Sequence, residues 1–408
     1  MVRVWEKYRH SFWSGTLLLI RTIAGFGAQK AVAIFYGPAG TTLFSHFQNF
    51  LALFTQPIQD AIGNGLINAF PKKSFQKTQI VGTAIIILLI LISASGFLLL
   101  ISNQFRHSLF SFSLKNWLLI IPSILLFCFG LIVSAIYVIQ QKLKLYSLII
   151  FIQWSFFFVA VGLYEFDLHQ FLIFWLLIQS LFSLILIYPV YPYLNFNFKI
   201  EKEVKLHFRK FLIMAISVWL SSKWVDYFIR EFAIQEFGAI QTGLWQSVVR
   251  ISEAYRGLLV SFLFLSLYPM ISRKIASKNL DISILKGYYL PYFLFSLIFL
   301  FLVFQFDELI LKVLYDDQYI KAVNLFRFQL LGDLFAFLAF PFSIYLIATV
   351  QTKIYILTEI LSALIFVSLI ILKASIGVEI LVYAHIIRFI CYLLAVAFVG
   401  IKSLRNAG

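Results

Sequence analysis

Charge is scarce in this chain. Of its 408 residues 12% are Asp, Glu, Lys or Arg, 62% are hydrophobic, and the mean hydropathy is +0.92. A soluble domain of this length cannot hide so much apolar surface, which places the chain in the polytopic membrane class. Cysteine is scarcer still. Cys128 and Cys391 each lie in an apolar run, which excludes a disulfide scaffold and a cysteine-based metal cluster. The histidines are scattered and no HExxH appears, so no metal-ligand set is legible. No GxxxxGKS or GxxxxGKT loop is present, excluding ATP hydrolysis by that route. No extramembrane stretch is long enough for a globular catalytic domain, so the expectation is a protein that is not an enzyme and needs no cofactor. The opening MVRVWEKYRHSFWSG is basic and leads into a long span without a small-residue cleavage site. It reads as a retained first helix rather than a signal peptide.

What is abundant is the long apolar run. A hydrocarbon core of about 30 Å takes roughly 20 apolar residues per helix. Twelve such runs are found, at about 11–35, 41–69, 79–101, 116–139, 145–164, 169–190, 207–229, 239–268, 283–304, 322–348, 353–372 and 379–401. They are continuous rather than alternating, which predicts helices and not a β-barrel. The breaks alternate in charge. One set holds Arg3, Lys7, Arg9, Lys72, Lys73, Lys77, Lys142, Lys144, Lys199, Lys202, Lys205, Arg209, Lys210, Arg273, Lys274, Lys278, Lys286, Lys353, Lys402 and Arg405. The other holds Arg106, Lys115, Arg230, Lys312, Lys321 and Lys373, with most of the loop acids. By the positive-inside rule both termini are cytoplasmic. The net charge of +15 is therefore mostly topological, and no nucleic-acid partner is expected.

The longest cytoplasmic break, YPYLNFNFKIEKEVKLHFRK at 191–210, divides the spans six and six. The expected organisation is an N-terminal six-helix lobe at 1–195, a cytoplasmic linker at 196–208 and a C-terminal six-helix lobe at 209–408, the repeat plan of many transporters. A faint internal trace accompanies it. YGPAG…FQ…FPKK in the first half faces FGAI…WQ…YPMISRK in the second, and Gln48 to Pro71 and Gln246 to Pro269 are both 23 residues apart.

Charges inside the spans cost about 3 kcal/mol each near the bilayer centre. They must pair, face a watery cavity, or snorkel to an interface. Gln246, Arg250, Glu253 and Arg256 fall on one face of the eighth span. They form either an Arg–Glu–Arg cluster that holds helices together or a cationic cavity wall with Glu253 orienting both arginines. Arg21 lies near mid-depth of the first span. Lys30 is half a turn round from it on an ideal helix, with Gly25 and Gly27 between; it serves the cavity or snorkels. Lys223 and Asp226 are spaced to pair with each other, or Lys223 lines the cavity. Arg327, Arg388 and Glu379 sit near span ends and read as interfacial. In the second span Asn49, Gln56, Asp60 and Asn64 make a polar stripe beside Pro57 and Gly63. Asp333 and Glu359 are lone acids in apolar spans. An unpaired buried carboxylate exchanges protons near neutrality, so Asp60, Asp333 and Glu359 are the candidate coupling residues. Buried cations in both halves point to an anionic cargo, since arginine matches phosphate oxygens with two parallel donors.

Three stretches carry a resemblance: GTLLLIRTIAGFGAQKAVAIFYGPAG (15–40), GLWQSVVRISEAYRGLLVSFLFLSLYPMISR (243–273) and NLFRFQLLGDLFAFLAFPFSIYLIATVQTKIYILTEI (324–360). The chain resembles the lipid-linked oligosaccharide flippases of the multidrug/oligosaccharidyl-lipid/polysaccharide exporter superfamily, in the O-antigen and enterobacterial common antigen (lipid III) translocase branch. The twelve-span plan covers the whole chain; residues 75–200 add little. The resemblance implies an all-α membrane protein with twelve transmembrane helices in two six-helix lobes around a central V-shaped cavity. It also implies a cargo of polyprenyl-diphosphate-linked glycan, a bacterial inner membrane, a coupling proton or sodium ion, and glycan polymerase partners. Family members place basic residues where Arg21 and Lys30 stand, and acids where Glu253, Asp333 and Glu359 stand. Arg250 and Arg256 depart from that pattern, as cargo-specific residues or structural partners of Glu253. The buried charges and the resemblance together make Arg21, Lys30, Lys223, Gln246, Arg250, Glu253 and Arg256 the expected cargo-binding residues. Two rival readings are a cation-coupled multidrug exporter of the same superfamily, whose cationic drugs want an acidic cavity, and a membrane-embedded glycan polymerase or glycosyltransferase. Peptidoglycan-precursor flippases are also relatives, but commonly carry two further spans.

Overall fold

Two glycines decide how the longest helices of this chain divide. The first helix, α1 (Val2–Pro57), turns at Gly37, where φ is 63° and ψ is −163°. That backbone region is closed to side chains with a Cβ. Pro38 follows, with φ preset for a new helix start. The seventh, α7 (Lys202–Ala276), turns at Gly238 with φ 79° and ψ 163°. Each glycine comes straight after an aromatic, Tyr36 or Phe237, so the aromatic–glycine trace shared by the two halves is the same turn made twice.

The computed structural model describes residues 2–70, 76–101, 112–187, 191–193, 202–276, 282–349 and 351–407. Lys72, Lys73, Arg106, Lys199, Lys278 and positions 196–201 of the expected linker lie outside the described residues. After α1 come a π-helical turn at Ile58–Gly63, α2 (Asn64–Ala69), α3 (Lys77–Ile101), α4 (Leu114–Ile139), α5 (Leu143–Leu163) and α6 (Leu168–Ile185). Beyond α7 lie α8 (Ile282–Gln305), α9 (Asp307–Leu314), α10 (Val323–Ala348), α11 (Thr352–Leu372) and α12 (Ile380–Ala407). Short 3-10 turns occupy Tyr191–Tyr193, Asp317–Ala322 and Ala374–Ile376. No strand occurs among the described residues.

By length and hydropathy, seven described helices can each cross a membrane, or up to eight if the bent pair α8–α9 is one span. Dividing α1 at Gly37, counting both arms of α7, and adding α3 brings the rods to the twelve expected. Local chemistry sets the ends. Ser113 caps α4, and Asp167 and Gln170 form a reciprocal capping box on α6, satisfying donors the first turn cannot pair internally. Pro57 precedes the π turn, where the missing N–H loosens the ladder.

The chain forms two compact units. One comprises Met1–Ala28 with Leu43–Tyr227, the other Gln29–Thr42 with Phe228–Gly408. This division differs from a cut at 196–208 in two places: Gln29–Thr42 groups with the later residues, and positions 209–227 with the earlier ones.

In the first unit an aromatic core gathers Phe44, Phe157, Phe171 and Trp175 edge to face. Gly65 lets the Phe208 ring approach: a Cβ there would sit 2.8 Å from it. His46 stacks on Tyr227 at 4.7 Å. These contacts hold the first arm of α7 to the unit. In the second unit the segment Gln29–Thr42 is stitched in by its polar groups. Lys30 Nζ donates to the Val313 carbonyl at 2.6 Å, Thr42 Oγ1 donates to the Ala239 carbonyl at 2.5 Å, and Thr41 bonds the Tyr319 hydroxyl. Gly243 permits the closest approach, since a Cβ there would lie 2.0 Å from the Pro38 carbonyl oxygen.

Candidate functional site

Within the first unit, Arg21 reaches Tyr146. It hydrogen-bonds the phenol oxygen, and its guanidinium carbon lies 5.2 Å over the ring. Tyr146 is itself stacked on Tyr137 at 5.4 Å, which fixes the platform. Among the described residues Arg21 has no carboxylate partner. Lys223 and Asp226 pair at 3.6 Å, each about one-third uncovered. Asp60, on the π turn, accepts from Gln56 Nε2 at 2.9 Å, so the polar stripe of the second span closes at least partly on itself.

Within the second unit the charges form two clusters built on the second arm of α7. In the first, Glu253 bridges two arginines: Arg230 at 3.1 Å through Oε1 and Arg250 at 3.2 Å through Oε2. Arg230 is 3% exposed. The expectation that Glu253 orients Arg250 and Arg256 is therefore corrected: the second arginine is Arg230. Sequence reasoning had put Arg230 in a loop; helix α7 carries it on to the turn at Gly238, well inside the helical rod. One turn before Arg250, Gln246 is 1% exposed, and neither amide atom finds a hydrogen-bond partner among the described residues. An orphaned buried amide costs about 1–3 kcal/mol.

Arg256 belongs to the second cluster. Its Nε lies 3.4 Å from Asp333 Oδ1, and its guanidinium lies 5.7 Å over the Phe389 ring. Asp333 is fully buried. It accepts from Ser252 Oγ at 2.7 Å and from the Tyr255 hydroxyl, and His385 Nε2 lies 3.0 Å away. Gln329 supports the set by donating to Ser252 Oγ at 3.1 Å. Gly332 makes room, because a Cβ there would fall 2.3 Å from the His385 ring. Stripping a carboxylate of water costs several kcal/mol, and only such a full complement of donors offsets it. Asp333 is thus not the lone acid its sequence context predicts. Neither is Glu359, which accepts from the Tyr392 hydroxyl at 2.6 Å; Tyr392 in turn meets Ser343 at 2.9 Å.

Lys30 stands apart from both clusters. Its partner is the Val313 backbone oxygen, and no ion pair to it occurs among the described residues. Besides Arg230, placed in a loop, sequence reasoning passed over Ser252, Gln329 and His385 and the three phenols Tyr146, Tyr255 and Tyr392. A histidine inside the apolar run LVYAHIIRF was the signal available. Chemically, each unit holds a cation on a neutral oxygen, Arg21 in one and Lys30 in the other, where charge remains for an anion to satisfy. Among the described residues no group of three or more His, Cys, Asp or Glu is placed to hold a metal ion.

No family model matches the chain. It is similar in sequence to the Lipid III flippases of Escherichia coli (strain K12) and Shigella flexneri, 24% identical over 153 residues. That alignment spans 37% of this chain and 36% of either flippase. The likeness in fold spans nearly the whole length. An inward-facing multidrug resistance MATE family transporter of the MOP superfamily aligns with a TM-score of 0.76 at 13% identity, covering 95% of this chain and 96% of that one. An outward-facing MATE structure gives 0.67 at 12% identity, covering 98% and 95%. A MOP superfamily transporter from Pyrococcus furiosus gives 0.63 at 13% identity over 98% and 95%; its structure is described as having a binding pocket of reverse polarity that suggests a different function. The chain therefore has the all-α membrane fold of the MATE transporters.

Proposed function

We propose that this chain is a flippase that moves polyprenyl-diphosphate-linked oligosaccharide, by alternating access, from the cytoplasmic to the periplasmic leaflet of a bacterial inner membrane. Both termini face the cytoplasm in this reading. The observation that carries it is the state of the cations: Arg21 and Lys30 each rest on a neutral oxygen, in a transporter fold, and phosphate oxygens are the partners either cation would take. The partial alignment with Lipid III flippases supports the cargo class. Arg250, positioned by Glu253 with Arg230 behind it, is a candidate cargo residue of the second unit. Gln246 and Arg256 in the second unit and Lys223 in the first are further candidates for contact with the cargo. Cargo shifts the carrier only through unequal affinity for its two states. Of the candidate groups for a coupling proton or sodium ion, Asp60 meets only the Gln56 amide among the described residues, whereas Asp333 and Glu359 would serve only on release from their partners; glycan polymerases are the candidate partners.

The structural neighbours favour one second reading, a cation-coupled multidrug exporter. It needs accessible acid, whereas Asp333 and Glu253 are engaged by arginines. Leaflet transfer separates the two. Purified protein in liposomes is given a polyprenyl-diphosphate oligosaccharide, and lectin accessibility reports its side. The flippase reading expects transfer by the native chain and its collapse in Arg21→Ala and in Lys30→Ala. Absence of transfer with proton-driven efflux of a cationic dye would replace it with the exporter.

A further inference from the structure

Helix α9, whose Val313 carbonyl takes Lys30, leaves α8 after Gln305 at 69°. The bend shapes a cavity of about 580 Å³, within the range of small-molecule sites. Its apolar lining is Phe304, Phe306, Leu309 and Ile320; its charged lining is Asp307, Glu308, Lys312 and Arg327. Helix α9 is eight residues long and two-faced. Phe306 is 50% uncovered, Leu309 55% and Val313 54%, while Asp307, Glu308 and Lys312 carry the polar side. A short helix of that pattern at the end of a span suits the plane of the membrane interface.

The charges are arranged in tiers. Asp307 is buried and takes Arg327 Nε at 2.7 Å, and the Arg327 guanidinium lies 5.2 Å over the Phe304 ring. This pair is a fixed floor. Lys312 pairs with Asp317 at 2.8 Å, but both side chains are more than half uncovered; such pairs are worth about 0–1 kcal/mol and exchange readily. The hydrogen bond and charge of Asp317 raise the Lys312 pKa, so it stays cationic through the neutral range. Glu308 is exposed, and among the described residues no cation pairs with it.

We infer that this cavity seats the head group of an aminophospholipid, its phosphate on Arg327 and Lys312, its primary ammonium on Glu308, and its chains along Phe304 and Phe306. Both signs of charge in one cavity suit a zwitterion. A purely anionic head would set its phosphate against Glu308. A choline head has no N–H to give that carboxylate, whereas a primary ammonium has three.

The test is native mass spectrometry of the full chain with an equal mixture of phosphatidylethanolamine, phosphatidylcholine and phosphatidylglycerol. Phosphatidylethanolamine is expected to be retained about fivefold over either other lipid, the effect of one modest ion pair. Glu308→Gln should bring it down to the phosphatidylcholine level. Lys312→Ala should weaken retention of all three lipids. Arg327 is left intact because buried Asp307 depends on it. Equal retention of the three lipids, a lead for phosphatidylglycerol, or retention indifferent to Glu308→Gln overturns the inference. So does displacement by an equal concentration of soluble phosphoethanolamine, which would mark a soluble ligand. None of these readouts involves transport, so they stand or fall apart from the flippase reading.

Discussion

Replacing Gly243 by alanine drives a methyl group into the Pro38 carbonyl. The added carbon would lie 2.0 Å from that oxygen, 2.7 Å from the carbonyl carbon and 2.7 Å from Thr42 Oγ1. A carbon–oxygen contact settles at about 3.3 Å, so the two backbones must part by roughly 1.3 Å. Two of the three obstructing atoms are main chain, and no rotamer change relieves them. Overpacking of this kind costs about 1–3 kcal/mol and more where backbone must move; the upper figure is expected. Gly257, on the same helix, is the internal control: nothing lies within 4 Å of its added carbon. Alanine there should gain up to about 1 kcal/mol from helix propensity. The assay is equilibrium unfolding in rising mole fraction of SDS, followed by tryptophan fluorescence. The two variants should differ by about two to three decades in unfolding constant, at about 1.4 kcal/mol per decade. Equal midpoints for Gly243→Ala and Gly257→Ala would refute the argument that Gln29–Thr42 is held by close approach at Gly243.

Gly37→Ala and Gly238→Ala each force a Cβ into a region reserved for glycine and should cost about 1–3 kcal/mol by the same assay. Asp333→Asn strands Arg256 and should cost about 3 kcal/mol. Adding Arg256→Met to it should restore more than half, giving a double-mutant coupling of at least about 1 kcal/mol; simple additivity would show that the pair is not one unit. Glu253→Gln removes the carboxylate from buried Arg230 and should cost about 2 kcal/mol while lowering leaflet transfer. A variant that keeps both native stability and native transfer would release Glu253 from its positioning role.

The spans were legible because burial in lipid demands an unbroken apolar run; the aromatic–glycine trace was visible too, but that it marks a turn followed only from the backbone at Gly37 and Gly238. The pairing of charges was not. Spacing along one helix joined Arg256 to Glu253, but partner choice depends on which helix packs alongside, and α10 brings Asp333 to Arg256 from 77 residues away in sequence. Arg230 was hidden by composition: the stretch around it, DYFIREFAIQEF, is polar enough to pass for a loop. Asp333 and Glu359 looked solitary because most of their partners are hydroxyls, and serine and tyrosine carry no charge to count. Gly332 and Gly243 carry no pattern at all until the neighbour that needs the space is known.

The placement of Gln29–Thr42 also sets a clock on biogenesis. Lys30 is made well before the carbonyl it bonds: Val313 follows 283 residues later, and the Tyr319 hydroxyl follows Thr41 by 278. At about 5–20 residues per second, the ribosome takes roughly 15–55 s to supply them. Throughout that interval a lysine sits in a nascent membrane helix without its native acceptor. The early half of the chain therefore depends on the insertion machinery, or on water at the translocation site, to shelter a charge that only the late half can settle.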